Sequence, residues 1–366
     1  MSKQNVTLKE IAQKAEVSTT TVYRVLNHKG GYSEELEQKI MKIAQEEGYE
    51  RNYLASSLRK RPMKIVLLFP KNEEINWRFY LQRVFEGFHD YLGKVENFNL
   101  ELEEVYFSSS DGDTCSSYLK KFYQKYGGEI DVLVLYAFHF TQEDIQYLNR
   151  FMGAGTEIIV LDTLNVQCGG CCRIYPDDEL AGRMAGQLMQ SMVKGPGTVA
   201  IFSQPFEKGD VNAQNCRKVL EQQSVCGRRI VEKTFSLYGS HIESMASFLQ
   251  EIPDLTGIYS TSARNTATMI QALKQLGIRP SAVIGSELFE ESYLALQDGL
   301  MDVVMDKRPY TMGRKAMEFA FSKAIQQVPL PQEYRIIPRI ILQANSDFYY
   351  WKRDNQDGQS EGTGAE

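Results

Sequence analysis

Between residues 18 and 24 the chain reads Ser-Thr-Thr-Thr-Val-Tyr-Arg, five hydroxyl-bearing side chains and one guanidinium within seven positions. Such groups make hydrogen bonds rather than break covalent ones. Hydroxyls beside a helix N-terminus suit phosphate oxygens, which places Ser18 and Thr21 at a backbone. A guanidinium can hold O6 and N7 of one guanine together, which makes Arg24 the strongest candidate to read a base edge. The plainer alternative is a solvated helix face, the ordinary fate of Thr and Arg. Nothing in the chain matches the groupings that run chemistry: there is no Gly loop followed by Lys for phosphates, no nucleophile elbow and no metal-spaced His/Cys/Asp set. No catalytic residue, cofactor or metal site is expected, and an enzyme is the lesser reading.

The elements that must hold these groups are well punctuated. Thr7-Leu8-Lys9-Glu10 is a capping box, in which hydroxyl and carboxylate each satisfy a free N–H at a helix start. Leu8, Ile11, Ala12 and Ala15 then repeat at helical spacing, Glu16-Val17 ends that helix, and Ser18 caps a second. There Val22, Val25 and Leu26 share one face, leaving Thr19, Thr20, Thr21, Tyr23 and Arg24 outside. A third helix from Ser33 buries Leu36, Ile40, Ile43 and Ala44, with Gly48 placed to end it. Residues 50–61, ERNYLASSLRKR, form a short basic segment with Asn52 as candidate cap, closed by Pro62. A helix that short is marginal alone and needs DNA or a second copy as partner.

From Met63 the texture changes. Apolar runs at 65–69, 132–136, 158–161, 198–202, 257–260 and 282–284 alternate with helical patterns near 79–92, 114–126, 142–152, 178–193, 212–222, 241–251, 264–276 and 311–326. That alternation implies parallel sheets covered on both faces, in too many units for one sheet, hence two α/β lobes. Residues 353–366 are polar and Gly-rich, and a disordered tail is expected.

The segment TLKEIAQKAEVSTTTVYRVLNHKGGYSEELEQKIMKIAQEEGYERNYLASSLRK closely resembles the helix-turn-helix headpiece of LacI/GalR-type transcriptional regulators. The body, 63–352, resembles more weakly that family's effector domain, built like type I periplasmic sugar-binding proteins. The resemblance implies a headpiece at 1–49, a hinge helix at 50–62 and a two-lobed effector and dimerisation domain at 63–352. It implies a repressor that binds double-stranded, near-palindromic operator DNA as a homodimer. Thr19, Thr20 and Arg24 occupy base-reading slots, Thr7 joins Ser18 and Thr21 among DNA-facing residues, and Asn27 is placed for a backbone contact. Tyr23 departs from the family's usual Ser and can add a phosphate or thymine contact. Leu58, with Ala55 beside it, sits where paired family leucines wedge into a minor-groove step and kink the duplex. The alternative is that Leu58 packs on its own subunit.

For the body the resemblance implies a small sugar or sugar derivative as effector. Asp162 ends IIVLD where an acidic residue is usual, Glu287 stands where many members have Asp, and Lys307 replaces a ligand-contacting Gln. Asn212 takes the place of a sugar-gripping Arg, while Ser262 and Arg264 fall where an Asn-Asp pair is common. Trp77, Arg78 and Tyr80 supply aromatic surface for an apolar sugar face. Because cations replace neutral or acidic partners, an anionic effector such as a sugar acid or sugar phosphate is expected. The alternative, that these cations pair with Asp306, Glu287 or solvent, stays open. So does a headpiece whose cleft has lost its ligand.

Composition agrees. The 366 residues carry a net charge of −6, but residues 1–61 hold 11 Lys and Arg against 8 acids, and the rest 30 against 39. A basic end on an acidic body presents one face to phosphates. No run of 18 apolar residues exists, and the N-terminus lacks an apolar export core, so a cytoplasmic protein without membrane contact is expected. In that compartment the six cysteines, at 115, 168, 171, 172, 216 and 226, are expected as free thiols, with Cys168-Gly-Gly-Cys171-Cys172 a Gly-rich surface loop. The histidines (28, 89, 139 and 241) are too scattered for a metal or catalytic site.

Overall fold

The computed structural model describes residues 6–26, 30–47, 49, 61–71, 79–107, 115–136, 140–162, 168–206, 208–222, 227–236 and 241–351. The chain divides into two compact units, Met1–Arg61 and Pro62–Glu366. The hinge positions Asn52, Ala55 and Leu58 lie outside the described residues, as do Asn27, Gly48, Trp77, Arg78 and the 353–366 tail.

The first unit holds α1 (Leu8–Ala15), α2 (Thr19–Leu26) and α3 (Glu34–Glu46). The capping box forms as read: the Thr7 amide donates to Glu10 Oε2 at 2.6 Å, and the Glu10 amide to Thr7 Oγ1 at 3.4 Å. Glu16 ends α1 in the left-handed region (φ 59°), and Val17 N–H closes back on Ala12 C=O at 3.0 Å. Ile11, Ala12, Ala15, Val22, Val25, Ile40 and Ala44 make a small buried core, with Leu26, Leu36 and Ile43 packed half-buried around it. Lys39 Nζ donates to the Ala15 carbonyl at 2.9 Å, tying α3 to the C-terminal end of α1.

The second unit is a pair of lobes. The first is built from β1 (Met63–Pro70), α4 (Leu81–Lys94), β2 (Leu100–Phe107), α5 (Cys115–Tyr126), β3 (Val132–Tyr136), α6 (Gln142–Gly153), β4 (Glu157–Leu161) and β5 (Cys172–Pro176). The chain then crosses into the second lobe: α7 (Asp178–Met192), β6 (Gly197–Ser203), α8 (Val211–Gln222), β7 (Arg228–Thr234), α9 (Ile242–Gln250), β8 (Leu255–Ser260), α10 (Ala263–Leu276), β9 (Ala282–Ser286), α11 (Glu290–Gln297) and β10 (Val303–Asp306). It returns for α12 (Pro309–Phe321) and β11 (Glu333–Ile336), and crosses last to β12 (Arg339–Ile341) and α13 (Gln343–Trp351).

The two six-stranded sheets are ordered β11-β5-β4-β3-β1-β2 and β12-β10-β9-β8-β6-β7. All pairings are parallel except β10 with β12. Central strands are largely buried, and VLVLY of β3 and GTVAIFS of β6 wholly so, because helices cover both faces. The apolar runs marked these strands in sequence. The edge strands β2 (LELEEVYF) and β7 (RRIVEKT) gave no such run, since an edge strand is half-wetted and tolerates charge.

The cysteine expectation needs correction. Cys168 and Cys171 are joined as a disulfide, and with Cys172 they are buried rather than on a surface loop. The two paired residues pack into the apolar layer between sheet and helices, while Cys172 starts β5 and faces the opposite layer. Cys172 and Cys216 are the buried free thiols among the described residues, and burial pushes Cys172 up to about 12. No helix among the described residues is long and apolar enough to cross a membrane.

Helices α4 and α12 cover one face of the first sheet at unusually close range. A Cβ at Gly313 would lie 1.7 Å from the Val84 carbonyl oxygen, and one at Gly87 would lie 1.9 Å from that of Tyr310. Backbone cannot retreat as a flexible side chain can, so Gly313→Ala must part the helices. The expected cost is about 1–3 kcal/mol, the usual range for overpacking. Urea unfolding of the full chain checks it: a lowered first midpoint is expected, and an unchanged curve would refute the packing account.

Candidate functional site

In the headpiece, Ser18 caps α2, its Oγ accepting from the Thr21 amide at 3.0 Å and lying 2.9 Å from Thr21 Oγ1. Val22 and Val25 point into the core, so the 100° step of the helix turns Thr19, Thr20, Tyr23 and Arg24 outward, all exposed. Thr21 is half-buried beside the cap, and Thr7 lies exposed at the start of α1. The Arg24 guanidinium lies over Gly31, where a Cβ would fall 2.3 Å from its Nη2. With φ at +80°, that position suits glycine twice over, for backbone and for room. The structure thus gathers the hydroxyls and the guanidinium on one outward face of a short, capped helix.

In the body, the remaining candidates stand where ligands bind in open α/β sheets, beyond the carboxyl ends of the strands. Asp162 follows β4, and both its oxygens are engaged: Tyr80 Oη donates to Oδ1 at 2.9 Å and Tyr136 Oη to Oδ2 at 2.6 Å. Burial raises its carboxyl to about 6, against the opposing pull of the Lys307 charge and the Tyr136 hydrogen bond. Burial and the Asp162 charge likewise lift Tyr80 and Tyr136 well above the ordinary phenol range, so both stay protonated donors.

Across from them, Lys307 stands just after β10 with its side chain 11% exposed. An ammonium so placed needs carboxylates. Its Nζ lies 3.3 Å from Asp178 Oδ1 and 3.4 Å from the Thr261 carbonyl oxygen. Burial alone would lower its affinity for the proton, but Asp178, Glu287, Asp162 and Asp210 outweigh that and hold it fully charged. Asp210 accepts from the amides of Gln204, Asn212 and Ala213 and from Thr261 Oγ1, which pins the start of α8. Asn212, buried there, accepts from the Tyr259 hydroxyl, and its Nδ2 has no acceptor among the described residues. Phe79 of the first lobe meets Phe289 of the second, ring centroids 4.8 Å apart, beside Ala263 and Ala267.

Two expectations shift. Among the described residues the recess is rich in acidic side chains, with Asp178, Glu287, Asp162 and Asp210 about Lys307, and that lysine pairs with Asp178 rather than with Asp306 or an open space. An anionic effector is therefore not what this arrangement favours. Ser262 is a helix cap, its Oγ accepting from the Asn265 amide at 3.2 Å. Arg264 follows on the first turn of α10, half-buried. Glu287 is a wall residue, 1% exposed, whose Oε2 accepts from the Lys307 amide at 3.1 Å. Burial and the neighbouring Asp306 carboxyl raise its carboxyl well above the ordinary value, against the opposing pull of the Lys307 charge. Asp162, Glu287 and Arg308 all have positive φ (59°, 65° and 61°), three of the five such non-glycine residues described, so backbone strain concentrates here. Tyr136, Asp178, Asp210 and Phe289 were missed in sequence. Each lies at a strand end or in the connection from a strand to the next helix, a signal available only once the strands are placed.

Comparison with known proteins agrees with both units. Residues 7–52 match the family "Bacterial regulatory proteins, lacI family", and residues 128–327 match "Periplasmic binding protein domain". The chain is 35% identical over 80 residues to the sucrose operon repressor of Lactococcus lactis subsp. lactis, covering 22% of this chain and 25% of that protein. It is 39% identical over 72 residues to the maltose regulon regulatory protein MalI of Vibrio furnissii, covering 20% and 53%. The matches thus span a quarter and about half of those relatives. Among solved structures, a protein of Bacteroides fragilis described as a LacI transcriptional regulator superposes with TM-score 0.66 at 14% identity, over 79% of this chain and all of that one. A periplasmic solute-binding protein of Actinobacillus succinogenes 130z with bound D-allose gives 0.66 at 17%, over 78% and 100%. At such identities the likeness is one of fold. One family model spans more than half of the chain, so the chain belongs to the periplasmic-binding-protein domain family, and its N-terminal segment matches the helix-turn-helix of the lacI-family regulators.

Proposed function

We propose that the chain is a sequence-specific transcriptional repressor whose grip on operator DNA is set by a small, uncharged, sugar-like effector. The observation that carries the reading is the outward face of α2, where Thr19, Thr20, Tyr23 and Arg24 are exposed while Val22 and Val25 anchor the helix. A helix so held can enter a major groove with its N-terminal side chains against base edges. Ser18 and Thr21 position it on phosphates, with Thr7 at the edge of the same surface. By resemblance, Asn27, Asn52, Ala55 and Leu58 extend the contact, Leu58 as one of a pair of minor-groove wedges in a homodimer on a near-palindromic site. A cytoplasmic location goes with that role.

The effector lies between the lobes against Tyr80, Asp162, Asn212 and Lys307, with Arg264 at its margin; Trp77 and Arg78 join the set by resemblance alone. Supporting this are the free Asn212 amide donor, the surplus of carboxylates and the sugars named for relatives and neighbours: sucrose, maltose, D-arabinose and D-allose. A carboxylated or phosphorylated sugar would meet like charge. Selection of bound sites from random DNA, followed by a screen of neutral and acidic sugars for altered binding, tests the whole. No enriched sequence would sink the regulator, and stronger response to the acidic sugars would sink the neutral effector.

Two variants follow. Arg24→Ala should remove discrimination at one base pair, worth about 1–3 kcal/mol, while leaving salt-dependent non-specific binding. Titration of matched and single-mismatch duplexes at fixed salt reads this, and undiminished discrimination would reassign Arg24. Asp162 has a folded pKa raised to about 6 from an ordinary 3.8, so its contribution to stability is present in acid and is lost as the pH rises through about 6. Asp162→Asn cannot ionise and escapes that loss. Its melting temperature relative to wild type should therefore rise between pH about 4.5 and about 7.5. A difference that falls over that range would contradict the burial of Asp162.

A further inference from the structure

The chain passes between lobes three times, at Asp177–Asp178, at Lys307–Arg308 and at 337–338. Ion pairs lace these crossings together. Asp178 on the first meets Lys307 on the second at 3.3 Å. Asp306, beside Lys307, meets Arg339 on the third, its Oδ2 accepting from Arg339 Nε at 2.6 Å. Arg335 on the third lies 3.7 Å from Asp177 on the first. The pairs are unequal. Arg335 is 54% exposed and its pairing is worth little. Asp306 is 5% exposed on its side chain, so its charge must be met.

We propose that Arg339, which stands outside the set of cleft residues, is a positioning residue that keeps Lys307 in the effector cleft by occupying Asp306. Asp306 and Arg339 face each other directly in the antiparallel β10–β12 ladder, which fixes the pair rigidly. The second oxygen of Asp306 accepts from the Arg308 amide at 3.2 Å and holds Arg308 in its left-handed turn. That turn, with the Lys307 amide bound to Glu287, sends the Lys307 side chain toward Asp178. Without Arg339, Asp306 is a buried carboxylate with no paired cation, and the cations beside it in the chain are Lys307 and Arg308. Lys307 then leaves Asp178 for Asp306, and the cleft loses that buried ammonium. The inference deepens the effector reading by naming what holds Lys307 ready, yet its test needs neither effector nor DNA.

The test reads the Asp162 carboxyl, which feels the Lys307 charge. The full chain, labelled with carboxyl-13C aspartate, is titrated by NMR, with Asp162→Asn supplying the assignment. In Arg339→Gln the Asp162 midpoint should rise by about one pH unit as the opposite charge withdraws. Arg339→Lys should restore it, and Arg335→Gln should leave it where it is in wild type. The double variant Asp306→Asn/Arg339→Gln removes the competing carboxylate and should also return the midpoint, which loosened packing alone would not do. An unmoved midpoint in folded Arg339→Gln overturns the proposal. If that variant does not fold, the double variant, which buries no unpaired carboxylate, decides: a raised midpoint there overturns it equally.

Discussion

An ammonium withdrawn from water must find carboxylates in place, and around Lys307 that requirement organises much of the body. Asp178, Glu287, Asp162 and Asp210 converge on it from four separate strand ends and helix starts in both lobes. None of the four is near another in sequence, so only folding assembles them. Because Lys307 and Asp178 stand on two different interlobe crossings, one electrostatic contact belongs at once to the cleft and to the hinge. The neighbouring Asp306–Arg339 pair extends the same logic to the third crossing.

The architecture explains why the groups meet there. Parallel strands deliver all their carboxyl ends to one side, and the following helices begin there with unpaired amides. Those amides are put to use in holding acidic side chains: Asp210 takes three backbone N–H groups at the start of α8. The phenols of Tyr80 and Tyr136 do the same for Asp162. The recess therefore tolerates more negative charge than a bare cluster of acids would. It is also framed by left-handed residues, whose strain a rigid doubly covered sheet can hold.

The headpiece works on a different scale. Among the described residues its core is seven small or medium side chains, and its outward face owes its order to caps rather than to burial. That division suits the DNA-facing role proposed for it. Anchoring is done from behind by Val22 and Val25, leaving Thr19, Thr20, Tyr23 and Arg24 without a structural duty to the core.

Much of this was legible in the sequence. The capping box at Thr7, the break at Glu16, the Ser18 cap and the alternation of central strands with helices were all readable, because they depend on neighbours within a few residues and on a period of two or 3.6. The edge strands β2 and β7 were not, since half-wetted strands lose the apolar run that marks a buried one. Asp162, Asn212 and Lys307 could be placed at strand ends by resemblance, and the structure brings them to the same side of the sheets. Their electrostatics could not be read. Whether Lys307 is a free cation or a paired one depends on Asp178, 129 positions earlier in the chain. Likewise, that Cys168 and Cys171 are buried and joined depends on which layer of the sheet they enter. The sequence alone determined the elements, the exposed recognition face and the family of folds, which are matters of local period and capping. The charge of the cleft and the lacing of its hinge were decided only by tertiary structure, because a pairing energy depends on distances in space that sequence separation does not encode.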